Sequence, residues 1–368
     1  MTPVSHGKPC AGNPHARFEE GASAPETPRR NALFHRNAII GVILGLTAAG
    51  VFSASAEASP LRFLTFNIWG DYFSNPVEER EAGVEAAILK DRPDVVSLQE
   101  VTPNWWKSPM FANLEKIGYA IVRGDEVAAL RRAAFCGTKS AVHVNHEPLL
   151  YRTDVLELLD SGTDFFHLSL DKSKSVTWAV LAEKGSGRRF VAFATHFWWQ
   201  QNGNESDAIR ELNARHVLLL LSVIRKKWGA DLPAILGGDL NSVEKSAAHA
   251  MLRSGGFVNA AFNADVRSTH RSHHGNPKRG EDGKYHGSLR PAEDDKPELS
   301  IDHIYYTKGI HALRHEICVD QSVLDVSDHS PVLVEFEFCN GATLAGGLWP
   351  FCLPRFLHGR LRQGRRRL

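Results

Sequence analysis

Several apolar runs of this chain close on a single polar residue of a type that can hold a metal or move a proton. Ile235 to Asn241 reads Ile-Leu-Gly-Gly-Asp-Leu-Asn, ending in a carboxylate and a carboxamide two residues apart. Positions i and i+2 of an extended strand share a face, so Asp239 and Asn241 are expected to project together from the strand's carboxyl end, the alternative being a strand-to-turn junction at which Asp and Asn bond to local backbone. Gly237 and Gly238 are expected to leave room for a ligand and to permit backbone angles that other residues avoid. Leu61 to Trp69 alternates like a half-buried strand and carries Asn67 late in the run. Asp94 to Glu100 ends in a carboxylate, and Phe190 to His196 ends in an imidazole. Ser300 to Tyr306 carries Asp302, and Ser327 to Pro331 carries Asp328 and His329 ahead of a last strand. Asn67, Glu100, Asp239, Asn241 and Asp328 offer hard oxygen donors, a set that favours Mg²⁺, with Mn²⁺ or Ca²⁺ as substitutes. Such a set can neutralise charge on a phosphodiester and hold an attacking water in line.

Taken in order, these blocks resemble the endonuclease/exonuclease/phosphatase superfamily, the fold shared by DNase I, the inositol polyphosphate 5-phosphatases and the bacterial sphingomyelinases. The resemblance rests on Asn67, Gln99-Glu100, Thr195-His196, Gly238-Asp239-Leu240-Asn241, Ile301-Asp302-His303 and Ser327-Asp328-His329. It implies that Glu100 is the principal metal ligand, with Asn67 beside it and Asp328 supporting the metal or the water. It further implies that Asp239 positions or deprotonates the water and that Asn241 holds a phosphate oxygen. His329, oriented by Asp302, would be a general base or a phosphate-binding imidazolium, and His196 would donate to the phosphate or the leaving group. Four further residues are candidates for shaping the substrate site. Trp198 and Trp199 follow His196 directly, one suited to line the cleft and the other to the core. Glu147 lies near where relatives place a residue that steadies the catalytic histidine. His270 belongs to the Gly- and Pro-punctuated stretch Asn263 to Leu299, which also carries His273, His274, Lys278, Arg279, Lys284, Tyr285 and His286; long loops beside a site commonly shape substrate choice.

Elements must position these residues. Pro76 to Lys90 and Pro103 to Ile117 read as helices, the first with Val84, Ala87 and Ile88 on one side. Glu205 to Trp228 reads as a long helix whose Leu218 to Leu221 run packs inward. Leu149 to Tyr151, Val155 to Leu159, Val176 to Leu181 and Arg189 to Ala194 read as short strands. Trp105-Trp106 suits either a membrane-touching patch or a contact between helix and core. Gly124 to Ser140 reads as irregular. The expected architecture is a four-layer α/β/β/α sandwich of two mixed β-sheets flanked by helices.

The chain has 368 residues, 43% of them hydrophobic, enough for one large domain with appendages. Residues 1–58 are expected to be an extension and export signal: after Arg29, Arg30 and Arg36, Ala38 to Phe52 is apolar and small residues suited to cleavage follow, at Ala56 or Ala58. The Arg29-Arg30 pair loosely resembles a twin-arginine signal. An uncleaved membrane anchor is the alternative, although the run falls short of the ~20 apolar residues of a span. Residues 59–338 are expected to form the catalytic domain, and 339–368 a basic tail with six Arg and no acid. Between Leu61 and Phe338, 32 Lys+Arg stand against 38 Asp+Glu, so the net charge of −6 does not advertise a nucleic-acid binder. The expected partner is a phosphate ester, nucleic acid among the possibilities. No obligate protein partner is implied, and membrane contact is expected only through the N-terminal segment or the basic tail. The five cysteines show no zinc-site spacing. The leading expectation is an exported phosphoester hydrolase, on nucleic acid, sphingomyelin or another phospholipid, or an inositol phosphate. The competing class is a binding module on the same fold without turnover, whose usual signature, loss of Glu100, Asp239 or His329, is absent.

Overall fold

Alternation along the strands sorts the apolar residues into three layers of core. In the computed structural model, which describes residues 59–122, 145–166 and 174–339, Leu61 and Phe63 of strand β1 (Leu61–Asn67) face a second sheet, whereas Leu64 and Phe66 face helices. The segment 124–140, the N-terminal 58 residues and the tail beyond Cys339 lie outside the described residues.

One sheet has seven strands in the spatial order β10 (Val266–Arg267), β14 (Ile310–Ile317), β15 (Val332–Phe338), β1, β2 (Val95–Gln99), β4 (Leu149–Arg152) and β3 (Tyr119–Val122). The other has six, ordered β5 (Leu156–Phe165), β6 (Ser175–Glu183), β7 (Arg189–His196), β8 (Ala234–Asp239), β13 (Asp302–Tyr306) and β9 (Val258–Asn259). A hairpin of β11 (Lys278–Arg279) and β12 (Tyr285–His286) stands apart within the expected irregular stretch. Both large sheets are mixed, β1 running parallel to β2 and β7 parallel to β8. Phe63, Val95 and Val334 of one sheet meet Ala192, Ile235 and Ile304 of the other. Outside the first sheet lie α1 (Glu81–Leu89), α2 (Pro109–Lys116) and α6 (Gln321–Leu324). Outside the second lie α3 (Asn204–Trp228) and α4 (Ala247–Ser254), and the short α5 (Ala260–Asn263) follows β9. The four-layer sandwich is therefore the observed architecture.

Two expected helices are each divided. A 3-10 turn at Val77–Glu79 precedes α1, and the break falls at Arg80, whose φ is −123°. Its buried guanidinium donates to the carbonyls of Ile68, Trp69, Asn75 and Val326 and lies over the rings of Trp69 and Trp105. The second break precedes Pro109, which holds Ser108 extended, while Ser108 caps Met110 N–H. Trp105 is fully buried and Trp106 stacks on Phe111 at 4.6 Å, so this pair belongs to the core. In α3, Leu220 and Leu221 pack inward, but Leu219 is 64% exposed, because four consecutive residues cannot share one face of a helix.

Gly237 and Gly238 serve packing rather than ligand access. Neither has a positive φ. A Cβ at Gly237 would lie 2.5 Å from Phe63 Cε1 and 3.1 Å from Thr65 Cβ, and one at Gly238 would lie 2.2 Å from the Thr195 carbonyl oxygen. Gly237 thus sets how closely β8 approaches β1 across the sandwich. Gly237→Ala is expected to cost about 1–3 kcal/mol of stability through overpacking; chemical denaturation with an unchanged midpoint would refute this role.

Candidate active site

Strand register builds the site. His196 on β7 is paired with Asp239 on β8, and Asp239 is paired with Asp302 on β13, so three neighbouring strands present an imidazole and two carboxylates in one row. Each ends the strand face that points at the opposite sheet, continuing Ala192–Ala194, Ile235–Gly237 and Ile304. Asn67 ends the matching face of β1. Its Nδ2 donates to Asp239 Oδ2 at 3.0 Å and to Glu100 Oε1 at 3.2 Å, joining the two sheets at the site.

Glu100 and Asn241 reach the cluster through the backbone, not through strand alternation. Glu100 follows β2 in the left-handed region (φ 64°), which turns its carboxylate away from the helix layer, and Gly70 N–H donates to its Oε2 at 2.6 Å. Asn241 also has a positive φ, 49°. Its N–H donates to Asp239 Oδ1 at 2.8 Å, and its Nδ2 lies 2.9 Å from His196 Nε2 and 3.2 Å from the Phe197 carbonyl. The strand-face expectation for Asp239 and Asn241 is therefore corrected in favour of the strand-to-turn alternative: β8 ends at Asp239, and a turn folds Asn241 back.

Both imidazoles are held by carboxylates. His329 Nδ1 lies 2.7 Å from Asp302 Oδ2, which also accepts from Ser272 Oγ at 2.7 Å. His329 Nε2 lies 3.8 Å from Asp239 Oδ2 and 3.9 Å from Asp328 Oδ1. Burial disfavours the charged ring, but Asp302, Asp328 and Asp239 outweigh it and raise its pKa well above the ordinary value. His196 Nε2 lies 3.3 Å from Asp239 Oδ2, and its Nδ1 is 3.9 Å from the buried Glu147, which accepts from Ser175 Oγ. Burial opposes ionisation of Asp239, yet His196, His329 and the Asn241 N–H hold its pKa well below the ordinary value. Burial likewise raises Glu100, but His196, Lys174, the Gly70 N–H and His329 leave it lowered.

Burial, with Asp239 beside it, raises Asp302 despite His329, and Asp328 is raised as well. Burial, with Glu100 and Asp239 nearby, raises its pKa to about 7 despite His329, and its buried Oδ1 has no hydrogen-bond partner. A buried, unpartnered carboxylate oxygen facing other carboxylates is what a cation-binding site looks like without its cation. Glu100, Asn67 and Asp328 therefore fit a metal. Two groups here bring three ligand atoms within 4.8 Å of one another, His273 with Asp328 and His329, and Asp239 with Asp302 and His329.

The other candidates divide. Trp198 is buried, while Trp199 is half exposed on the loop beyond His196. His270 is engaged by Asp295 at 2.7 Å, and the histidine of that loop that meets the cluster is His273, bridged to His329 by backbone pairing with ring centroids 4.7 Å apart. Lys174 was not singled out by sequence: it lies in Asp-Lys-Ser-Lys-Ser, which reads as a solvated run, yet it is buried with Nζ 3.0 Å from His196 Nδ1. Ser272 gave no signal either.

A family profile matches residues 64–329. The chain belongs to the endonuclease/exonuclease/phosphatase family. Members are metal-dependent phosphoester hydrolases, and this chain is one of that class. No curated protein matches it. Among solved structures, an endonuclease/exonuclease/phosphatase from Bacteroides vulgatus is 25% identical, with 76% of this chain and 99% of that one covered at a TM-score of 0.57. The human Nocturnin catalytic domain with bound sulfate is 18% identical, covering 76% and 95% at a TM-score of 0.56. A mannosyl-6-phosphatase from Bacteroides thetaiotaomicron is 19% identical, covering 76% and 100% at a TM-score of 0.55.

Asp328 has a consequence for stability. Its folded pKa is raised, so without metal its contribution is fully present below the unfolded value and is lost as pH rises towards about 7. In chelator, Asp328→Asn is expected to flatten that fall and to be the more stable protein at alkaline pH by about 1–4 kcal/mol. Added Mg²⁺ should raise the melting temperature of the wild type more than that of the variant. Equal pH slopes and equal Mg²⁺ responses would remove Asp328 from the metal set.

Proposed function

We propose that this chain is an exported, Mg²⁺-dependent phosphodiesterase that splits its ester by direct attack of water. The observation that carries this reading is ionised Asp239 flanked by two imidazoles, His196 at 3.3 Å and His329 at 3.8 Å, and tied through Asn67 to Glu100. Glu100, Asn67 and Asp328 would hold Mg²⁺, since hard oxygen donors suit it. Bound there, the ion would neutralise charge on the phosphate oxygens. Asp239 Oδ2 orients the water and accepts its proton. Charged His329 donates from Nε2 to a non-bridging oxygen, with Asp302 fixing its ring. His196, steadied by Glu147 and Asn241, gives a proton to the leaving oxygen. Lys174 adds a buried positive charge beside His196 and suits a phosphate oxygen.

Export rests on the apolar run Ala38 to Phe52 with its basic flank. Among the described residues no helix is long and apolar enough to cross a membrane. The loops leaving β1 and β7 beside the site expose Tyr72, Phe73 and Trp199, which suits a diester with an aromatic or apolar substituent.

Hydrolysis of DNA, RNA, sphingomyelin, inositol phosphates, sugar monophosphates and bis(p-nitrophenyl) phosphate, each with Mg²⁺ or chelator, tests the proposal. Chelator-sensitive cleavage of a diester is expected. Cleavage confined to monoesters overturns the diester assignment, and silence from folded protein favours the binding module. Asp239→Ala is expected to lower kcat roughly 10³-fold; unchanged hydrolysis would remove the site assignment. Lys174→Met should lower kcat/KM roughly 10²-fold while keeping the Mg²⁺ melting shift, and an unaltered kcat/KM would exclude a phosphate contact.

A further inference from the structure

On the helix side of the second sheet, behind the row of His196, Asp239 and Asp302, lies a second buried cluster that the chemistry above does not use. His249 of α4 and His303 of β13 are fully buried, with ring centroids 4.6 Å apart. Glu244, Asn259 and Tyr305 close around them. Ligand atoms of Glu244, His249 and His303 converge within 4.8 Å. The Asn259 amide bridges two of the three, donating to Glu244 Oε2 at 2.6 Å and to His303 Nδ1 at 3.1 Å.

What the two rings share is the Ser242 carbonyl oxygen, 2.9 Å from His249 Nε2 and 3.2 Å from His303 Nε2. A carbonyl only accepts, so both Nε2 atoms carry protons and its two lone pairs are both used. The opposite edges of the rings are fixed in turn. His303 Nδ1 accepts from Asn259, and His249 Nδ1 lies 2.6 Å from Tyr305 Oη, which donates to Glu244 Oε2 at 2.6 Å. Arg253 pairs with the other oxygen of Glu244. His303 also reaches the Ser300 carbonyl at 3.0 Å, and burial, with His249 beside it, lowers its pKa to about 3 and keeps it neutral.

Ser242 directly follows Asn241, the residue whose left-handed backbone folds its amide back to His196. Left-handed backbone at a residue other than glycine costs about 1–3 kcal/mol and persists only where its surroundings fix it. We propose that His249 and His303 are positioning residues for hydrolysis: together they hold the Ser242 carbonyl and so fix the turn that presents Asp239 and Asn241. The proposal rests on the phosphodiesterase reading above for its kinetic consequence, but not for its structural one. Phenylalanine in place of either ring keeps the bulk and removes the donor. Glutamine places an amide N–H near the lost Nε2.

The test uses full-length protein carrying His249→Phe, His249→Gln, His303→Phe or His303→Gln, with melting curves to establish folding. Bis(p-nitrophenyl) phosphate with Mg²⁺ gives kcat and KM, and amide hydrogen exchange reports on the Asn241 N–H bound to Asp239. The Phe variants are expected to lose roughly 10–100-fold in kcat with KM nearly unchanged. Their Asn241 amide should exchange about 10-fold faster as the turn opens. The Gln variants should recover most of both. A folded Phe variant with wild-type kcat and exchange overturns the proposal, as does a Gln variant impaired as badly as its Phe counterpart. Should the Phe variants not fold, Tyr305→Phe releases the far edge of His249 together with the Tyr305 bonds to Glu244 and Asn259 and should move both readouts in the same direction, and no movement refutes the proposal. A wild type inert on the substrate defeats the phosphodiesterase reading alone, since amide exchange still decides this one.

Discussion

Five carboxylates gathered in one place, Glu147, Asp239 and Asp302 buried and Glu100 and Asp328 partly so, form the constraint around which this molecule is built. An ionised carboxylate taken out of water costs several kcal/mol unless donors replace the lost hydration. The fold supplies them from every direction: the Asn67 amide, the Gly70 and Asn241 backbone N–H groups, the Ser175 and Ser272 hydroxyls, and two imidazoles. Oδ1 of Asp302 and Oδ1 of Asp328 are buried without a hydrogen-bond partner. A metal ion, on which the family depends, is a species that would meet such a shortfall.

Support for this cluster is layered. Beneath it, Ser97 Oγ reaches across the sandwich to the Gly237 carbonyl, and Thr65 and Gln99 bond to each other. At its edge, Ser327 Oγ donates to the Asn67 carbonyl and ties the segment carrying Asp328 and His329 to the end of β1. Behind it stands the histidine pair on Ser242. Polar side chains thus continue inward from the site in place of a purely apolar core, and each bond they make restricts where the groups in front can move.

Much of this was legible in sequence because strands alternate. A polar residue at the end of an apolar strand must sit at the sheet's rim, and four such ends, carrying Asn67, His196, Asp239 and Asp302, brought the right residues to one rim. Backbone reversals were only partly legible: nothing in Gln99-Glu100 announces a left-handed residue, whereas Asn241 is of a type that tolerates that backbone and marks a turn. Lys174 was hidden by its company of polar residues, and its burial follows from β6 starting one residue later, beside β7. His270 and His273 look alike in sequence, and only the pairing of His273 with His329 separates them. The two glycines of β8 were read as serving a ligand because they precede Asp239, whereas the neighbouring strands are what require them. Helix ends failed where a buried Arg80 or a proline outweighed propensity.

The first strand of the catalytic unit lies in the middle of its sheet, between the second strand and the last. Asn67 is therefore made early in synthesis and Asp328 and His329 late, and the Arg80 guanidinium joins Ile68 to Val326 across that same span. Contacts so distant along the chain close slowly and only after the later partner has left the ribosome. A polypeptide lacking the last described strand, β15, consequently carries Asn67, Glu100 and His196 without Asp328 and His329 held against them. The corner is assembled only when that strand pairs with β1.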